Sequence, residues 1–353
     1  MTAPRPGLRA VAFYDSPQLD VAARLNTNES PHPLPDAFSK DLAEAVASLP
    51  LHRYPDDQMV RLREEFATHV GHVPEGTWVA NGSNEILMQL LQAYGGAGRR
   101  VAVFEPTYML HSRLAWLTQT ELVSLRLEED FSLSPNSVAA AVAAAPDVVF
   151  VCSPNNPTGN AQAVDQVRSL AEQTAKKSGG LVIVDEAYVE FGGQTCLPLI
   201  ADHHNVVVTR TMSKAFALAG ARIGYALADP EVIDDLRRVR LPYNVSSLTQ
   251  AAGIAALHHT KEAGAILDAI RDERDRILAA LRAMPGIVVY PSDANFVLFV
   301  APMPASEVRQ RLLDRGVLIR DLSAVVPNAL RVTAGTTHEV DLFLKNLEEV
   351  LAT

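Results

Sequence analysis

Only two of the 353 residues are cysteine, Cys152 and Cys196, which excludes a disulfide scaffold and leaves stability to an apolar core. Positive charge is also short. A net charge of -10 argues against a nucleic-acid or anionic-membrane partner and confines any cationic surface to a local pocket. No apolar run reaches the roughly 20 residues of a membrane span. The proline-containing N-terminus has no signal-like apolar segment, so the cytoplasm is the expected location. Metal ligation finds little support: His203-His204 and His258-His259 are adjacent pairs, and neighbours on a strand or helix point apart. Surface or partner-contact positions are expected for both pairs. Repeats, linkers and low-complexity segments are missing, and the alanine-rich stretch 139–145 reads simply as helix-favouring. What is present is a chain long enough for about two domains at roughly 150 residues each.

Three short apolar, β-branched runs read as buried strands, and each ends in polar residues. Residues 147–152 lead into Ser153-Pro154-Asn155-Asn156-Pro157-Thr158-Gly159, residues 181–184 into Asp185-Glu186-Ala187-Tyr188, and residues 205–209 toward Ser213-Lys214. Open α/β sheets bind ligands beyond the carboxyl ends of their strands, so these three endings describe one pocket. Taken singly, each has an ordinary reading as a turn or a helix cap. Together they match one chemistry.

That chemistry is the covalent capture of an aldehyde cofactor, pyridoxal phosphate, by a lysine amine. Lys214 lies between Ser213 and Arg222, a hydroxyl and a permanent cation of the kind that anchors a phosphate. Asp185 can pair with the pyridine nitrogen and keep it protonated, which makes the ring an electron sink. Asn156 and Tyr188 can donate hydrogen bonds to the ring's phenolic oxygen. Ser83 and Asn84 open an apolar helical pattern at Ile86, Leu87, Leu90 and Leu91, and a helix N-terminus is an anion site. Glu85 is expected to serve that helix rather than a ligand.

These stretches, with Leu25-Asn26-Thr27-Asn28-Glu29, His52-Arg53-Tyr54-Pro55-Asp56, Leu241-Pro242-Tyr243-Asn244 and Ser292-Asp293-Ala294-Asn295-Phe296 in the same order, resemble the fold-type I aminotransferases dependent on pyridoxal phosphate. The resemblance covers nearly the whole chain and is closest to the histidinol-phosphate aminotransferase family of the actinobacterial kind. It implies that Tyr108 stacks on the cofactor ring, and that Ser83, Asn84, Ser213 and Arg222 hold its phosphate. Tyr54 would reach the cofactor phosphate of a neighbouring subunit, making the active site that of a homodimer. On the substrate side it implies Arg331 for a carboxylate, Arg320 for a side-chain phosphate, and Tyr14 and Asn26 along the same pocket. Around Tyr14 the match is loose, because residues 9–12 depart from the family's commoner pattern.

The implied reaction interconverts histidinol phosphate and 2-oxoglutarate with imidazole-acetol phosphate and glutamate by ping-pong transfer, a step of histidine biosynthesis. Histidinol phosphate has no α-carboxylate whereas glutamate has two carboxylates, so the same arginines must accept phosphate in one half-reaction and carboxylate in the other. The competing readings are an aromatic (phenylalanine) aminotransferase, a decarboxylase of a phosphorylated amino acid using the same cofactor, and a non-catalytic cofactor-binding module. The fold expected is α/β: a mostly parallel sheet in a large cofactor domain, residues 41–250, with a smaller α+β domain from residues 1–40 and 251–353 that includes an N-terminal arm. A helix is expected at 165–177, a helical pattern over 246–282, strands at 287–290, 296–300 and 330–333, and a helix at 306–315.

Overall fold

The computed structural model describes residues 2–5, 7–11 and 17–352. Its strands, in chain order, are β1 (Ala23–Arg24), β2 (Thr77–Ala80), β3 (Arg100–Glu105), β4 (Glu121–Arg126), β5 (Val148–Cys152), β6 (Leu181–Asp185), β7 (Val206–Thr211), β8 (Gly224–Leu227), β9 (Val288–Val289), β10 (Phe296–Val300), β11 (Val317–Leu318), β12 (Arg320–Asp321) and β13 (Ala329–Thr333). The α-helices are α1 (Asp36–Ala47), α2 (Val60–Val70), α3 (Ser83–Tyr94), α4 (Leu110–Thr118), α5 (Pro135–Ala143), α6 (Val164–Lys177), α7 (Pro230–Val239), α8 (Ser247–His258), α9 (Thr260–Ala283), α10 (Ala305–Leu313) and α11 (Thr337–Leu351).

Seven strands form the main sheet in the order β2-β8-β7-β6-β5-β3-β4. β3 to β7 run parallel to one another, and only β8 is antiparallel to the strands on both of its sides. Every residue of β5, β6 and β7 is buried, as continuous Val- and Ile-rich runs require when helices cover both faces of a parallel sheet. β4 closes one edge and is largely exposed. The register places Cys152 beside Asp185 and Asp185 beside Thr209, so the three polar strand endings converge.

A second, four-stranded sheet runs β12-β13-β10-β9, and β1 pairs in parallel with β11. One apolar core runs beneath both sheets, from Trp78 and Phe150 to Phe299 and Phe343. α11 starts in a full capping box, Thr336 and Glu339 each satisfying the other's backbone N–H.

The expected helical pattern over 246–282 is two helices. The break is at His259, and this corrects the surface position expected for that residue: its ring is buried, sits edge-on to Phe38 and bonds Asp41 at 2.8 Å. His204 is exposed beside Asp229. The strand expected over 287–290 shortens to the two residues of β9.

Candidate active site

A cavity of about 370 Å³ opens above the carboxyl ends of β5, β6 and β7, between the two sheets. On its floor lies Asp185, the last residue of β6, which is 2 % exposed. His111 Nε2 lies 3.2 Å from one carboxylate oxygen, and the Thr209 hydroxyl donates to the other at 3.5 Å. His111 is itself fully buried and stacked on Phe150 with ring centroids 4.5 Å apart. The aspartate is thus held in one orientation by groups on α4 and β7.

The phosphate end is shaped by two glycines. A side chain on Gly224 would put its Cβ 2.1 Å from the Ser83 backbone nitrogen, and one on Gly82 would meet the Arg222 guanidinium at 2.6 Å. Gly82 also has φ +87, a conformation that favours glycine. β8 and Arg222 therefore approach the start of α3 closely, where the N–H groups of Ser83 and Asn84 have no acceptor within the helix. Arg222 donates to Ser213 Oγ at 3.2 Å, and Thr211 donates to the same oxygen at 3.0 Å. Tyr108 donates to Asn84 Oδ1 at 3.4 Å. Helix terminus, hydroxyls and guanidinium form one anion cradle.

Lys214 reaches into the cavity from beyond β7 and donates to the Thr27 carbonyl at 3.2 Å. Burial, then the Arg331 and Arg222 cations, push its amine down to about 8, against an opposing pull from Glu29. A lysine so placed is a usable nucleophile near neutral pH. Tyr188 accepts from Asn28 Nδ2 at 3.0 Å, which leaves its own O–H available to donate; burial pushes that phenol up. Asn156 Oδ1 accepts from Arg331 at 2.7 Å, so its Nδ2 is the side left for a ligand.

The opposite wall comes from the second sheet. Arg320 on β12 and Arg331 on β13 are direct partners in the antiparallel register, so both cations face the same cavity. Arg331 is 8 % exposed, donates to the Asn26 carbonyl at 2.9 Å and lies over the Phe296 ring. Asp321 is occupied with Ser323. Asn26 is buried and donates to the Pro17 carbonyl at 2.9 Å. The lining holds four cationic side chains, Lys214, Arg222, Arg320 and Arg331, against the carboxylates Asp185 and Glu29. Such a cavity attracts a small molecule carrying two anionic groups. The donor set fits pyridoxal phosphate: an anion cradle, a buried carboxylate, two donors beside it and a nucleophilic amine.

Of the residues expected from sequence, Ser83, Asn84, Tyr108, Asn156, Asp185, Tyr188, Ser213, Lys214, Arg222, Asn26, Arg320 and Arg331 all line this cavity. Tyr14 lies outside the described residues. Tyr54 does not line it; the side chain is 78 % exposed and stacked on Tyr243, centroids 4.3 Å apart. Glu85 does not line the cavity; it accepts from the Asn81 N–H on the turn that precedes α3. Two residues went unassigned in the sequence. His111 stands in the first turn of α4 just after Tyr108 and meets that ring edge-on at 5.7 Å, and its nearness in the chain to Tyr108 was the available signal. Asn28 has φ +55 and joins Tyr188 to Thr333, a junction that no local pattern announces.

The sequence profile described as "Aminotransferase class I and II" matches residues 22–347. A histidinol-phosphate aminotransferase of Frankia casuarinae is 48% identical over 98% of this chain and 90% of its own. One of Streptomyces avermitilis is 47% identical over 98% and 96%. Among solved structures, the histidinol-phosphate aminotransferase of Sinorhizobium meliloti in complex with pyridoxal-5'-phosphate superposes with a TM-score of 0.85 at 26% identity, over 94% of this chain and 91% of that one. With the fold, the lysine and the cavity in agreement, the chain belongs to the class I and II aminotransferases and, within them, to the histidinol-phosphate aminotransferase family.

Proposed function

We propose that this chain is a histidinol-phosphate aminotransferase that uses pyridoxal phosphate and interconverts histidinol phosphate and 2-oxoglutarate with imidazole-acetol phosphate and glutamate in histidine biosynthesis. The observation that carries this reading is the convergence of Lys214 and Asp185 with the paired cations Arg320 and Arg331 in one cavity. When bound, the cofactor supplies an electron sink for the charge left on the substrate Cα. Asp185, fixed by His111 and Thr209, would hold the proton on the ring nitrogen. Asn156 Nδ2 and the Tyr188 hydroxyl would donate to the phenolic oxygen, and Tyr108 would offer its ring for stacking. Ser83, Asn84, Ser213 and Arg222 would hold the phosphate.

Lys214 has two tasks. Its amine would hold the cofactor by the aldehyde carbon and, as a neutral base beside the substrate Cα, would accept and return the proton that the transfer moves. Arg320 and Arg331 then decide what is oriented for that transfer: the phosphate of histidinol phosphate in one half-reaction, the carboxylates of glutamate in the other. Asn26 lines the same pocket, and family resemblance alone assigns Tyr14 to the substrate. A phenylalanine aminotransferase would share the floor and, because glutamate brings two carboxylates, the two cations as well. The names of the relatives favour the phosphorylated substrate.

Tyr54 is assigned to the cofactor phosphate of a neighbouring subunit in a homodimer; its exposure and its distance from this chain's own cavity support that assignment. The two separate sheets support a division into a large body, residues 41–250, and a smaller one from residues 1–40 and 251–353. Among the described residues no helix is long and apolar enough to cross a membrane, and with the net charge of -10 this favours a cytoplasmic enzyme.

The test is product formation by the purified protein with added pyridoxal phosphate, histidinol phosphate and 2-oxoglutarate. Equal amounts of glutamate and keto phosphate support the reading, and no glutamate overturns it.

A further inference from the structure

Glu85 was expected to be a helix residue only, yet its carboxylate is shared three ways. Oε2 accepts from the Asn81 backbone N–H at 2.6 Å, folding over the turn that presents Ser83 and Asn84. Oε1 accepts from Gln89 at 3.1 Å and from Asn244 Nδ2 at 2.9 Å. The first of these bonds fixes the turn that precedes α3. The last leaves the helix for a loop 159 residues away.

That loop is clipped to the segment that carries Tyr54. Tyr243 stacks on Tyr54 with an interplanar angle of 10°. Arg240 donates to Asp57 at 2.8 Å, and Gln250 Nε2 donates to both the Asp56 and Val245 carbonyls, at 2.9 and 3.1 Å. A second path returns to Glu85: the Arg240 guanidinium lies 5.6 Å from the centre of the buried Trp78 ring, whose N–H donates to Gln89 at 3.0 Å. The Tyr54 segment and the Ser83 turn are therefore joined through Glu85 by two routes.

We propose that Glu85 is a positioning residue that ties the phosphate turn of its own subunit to the Tyr54 arm, so that one carboxylate sets cofactor affinity in two active sites. The inference rests on the assignments of Ser83, Asn84 and Tyr54 made above. A carboxylate suits the task because it offers acceptors only, and the three groups around it are all donors. A glutamine can still accept from the Asn81 N–H, but it must then turn an amide N–H toward Gln89 and Asn244. Glu85→Gln therefore keeps the Asn81 bond but sets two donors together at Gln89, whose oxygen is already held by Trp78, while Asn244→Ala removes the bond to the loop outright.

The test uses mixed dimers in which one subunit carries Lys214→Ala, so that only its wild-type partner forms the visible lysine-bound cofactor. Pyridoxal phosphate is titrated into the cofactor-free dimer and followed by visible absorbance. Adding Glu85→Gln to the Lys214→Ala subunit is expected to weaken binding in the unaltered partner roughly fivefold to tenfold, the scale of one ordinary hydrogen bond lost or misaligned. Asn244→Ala, which leaves α3 and the Asn81 bond untouched, is expected to do the same in the same position. Unchanged affinity with both variants overturns the inference. Tyr54→Phe in that position separates it from the reading beneath it. If Tyr54→Phe weakens the partner site and neither Glu85→Gln nor Asn244→Ala does, the link through Glu85 alone fails. If Tyr54→Phe has no effect, the arm's role falls and the inference with it.

Discussion

The floor of the cavity is assembled from residues side by side on neighbouring parallel strands, Cys152 against Asp185 and Asp185 against Thr209. Its substrate wall joins residues 305 positions apart in the chain, Asn26 to Arg331 and Asn28 to Thr333. The floor is a by-product of one buried sheet, whose strands all end at the same level. The wall forms only when the second sheet and the N-terminal residues close over that level. The groups proposed to serve every amino-group transfer therefore stand at the end of one buried parallel sheet. The groups proposed to choose a substrate stand on a separate sheet and on the N-terminal residues.

Variants on the two sides should fail differently. Lys214→Ala gives the largest effect: turnover and the visible absorption of the lysine-bound cofactor are both lost for every substrate, while far-ultraviolet circular dichroism stays that of the native fold. A variant with normal spectrum and rate would remove Lys214 from the floor. Next comes Arg320→Ala, which should lower kcat/KM for histidinol phosphate about 10- to 100-fold, the scale of charge-assisted bonds to a phosphate, and leave phenylalanine much less affected. Equal losses would move Arg320 from substrate choice to structure.

The pH dependence of cofactor capture sharpens the account of the floor. The neutral amine is the nucleophile, and burial and the neighbouring arginines push Lys214 down to about 8. Stopped-flow capture of pyridoxal phosphate by cofactor-free protein should accelerate as pH rises toward 8 and level off above it. An ordinary lysine would keep accelerating toward about 10.4. The smallest effect is expected at the seam between the two sides. Asn28→Ala removes the bond to Tyr188 and the side-chain bond from Thr333, and should cost about 1–3 kcal/mol in chemical denaturation, with modest losses for both substrates alike.

The same contrast explains what the sequence disclosed. The three strand endings were legible because continuous apolar runs have a local signature and the polar residues follow at once. Lys214, Asp185 and Asn156 could therefore be placed in one pocket from the residues alone. Arg320 and Arg331 came from family resemblance, since nothing in two short strands announces that their side chains share a register. His111 was missed because its role depends on tertiary contacts, the stacking on Phe150 of β5 and the bond to Asp185 at the end of β6. His259 was misplaced for the converse reason: its sequence neighbours give no sign of Phe38 and Asp41, which bury and bond it.

The claim that a shared chemical floor is directed by a phosphate-selecting wall is tested most directly by single-turnover conversion of the cofactor from its aldehyde to its amine form, with histidinol phosphate and phenylalanine measured side by side. A much faster reaction with histidinol phosphate is the predicted result. A comparable or faster reaction with phenylalanine would contradict the wall's assignment and leave only the floor standing.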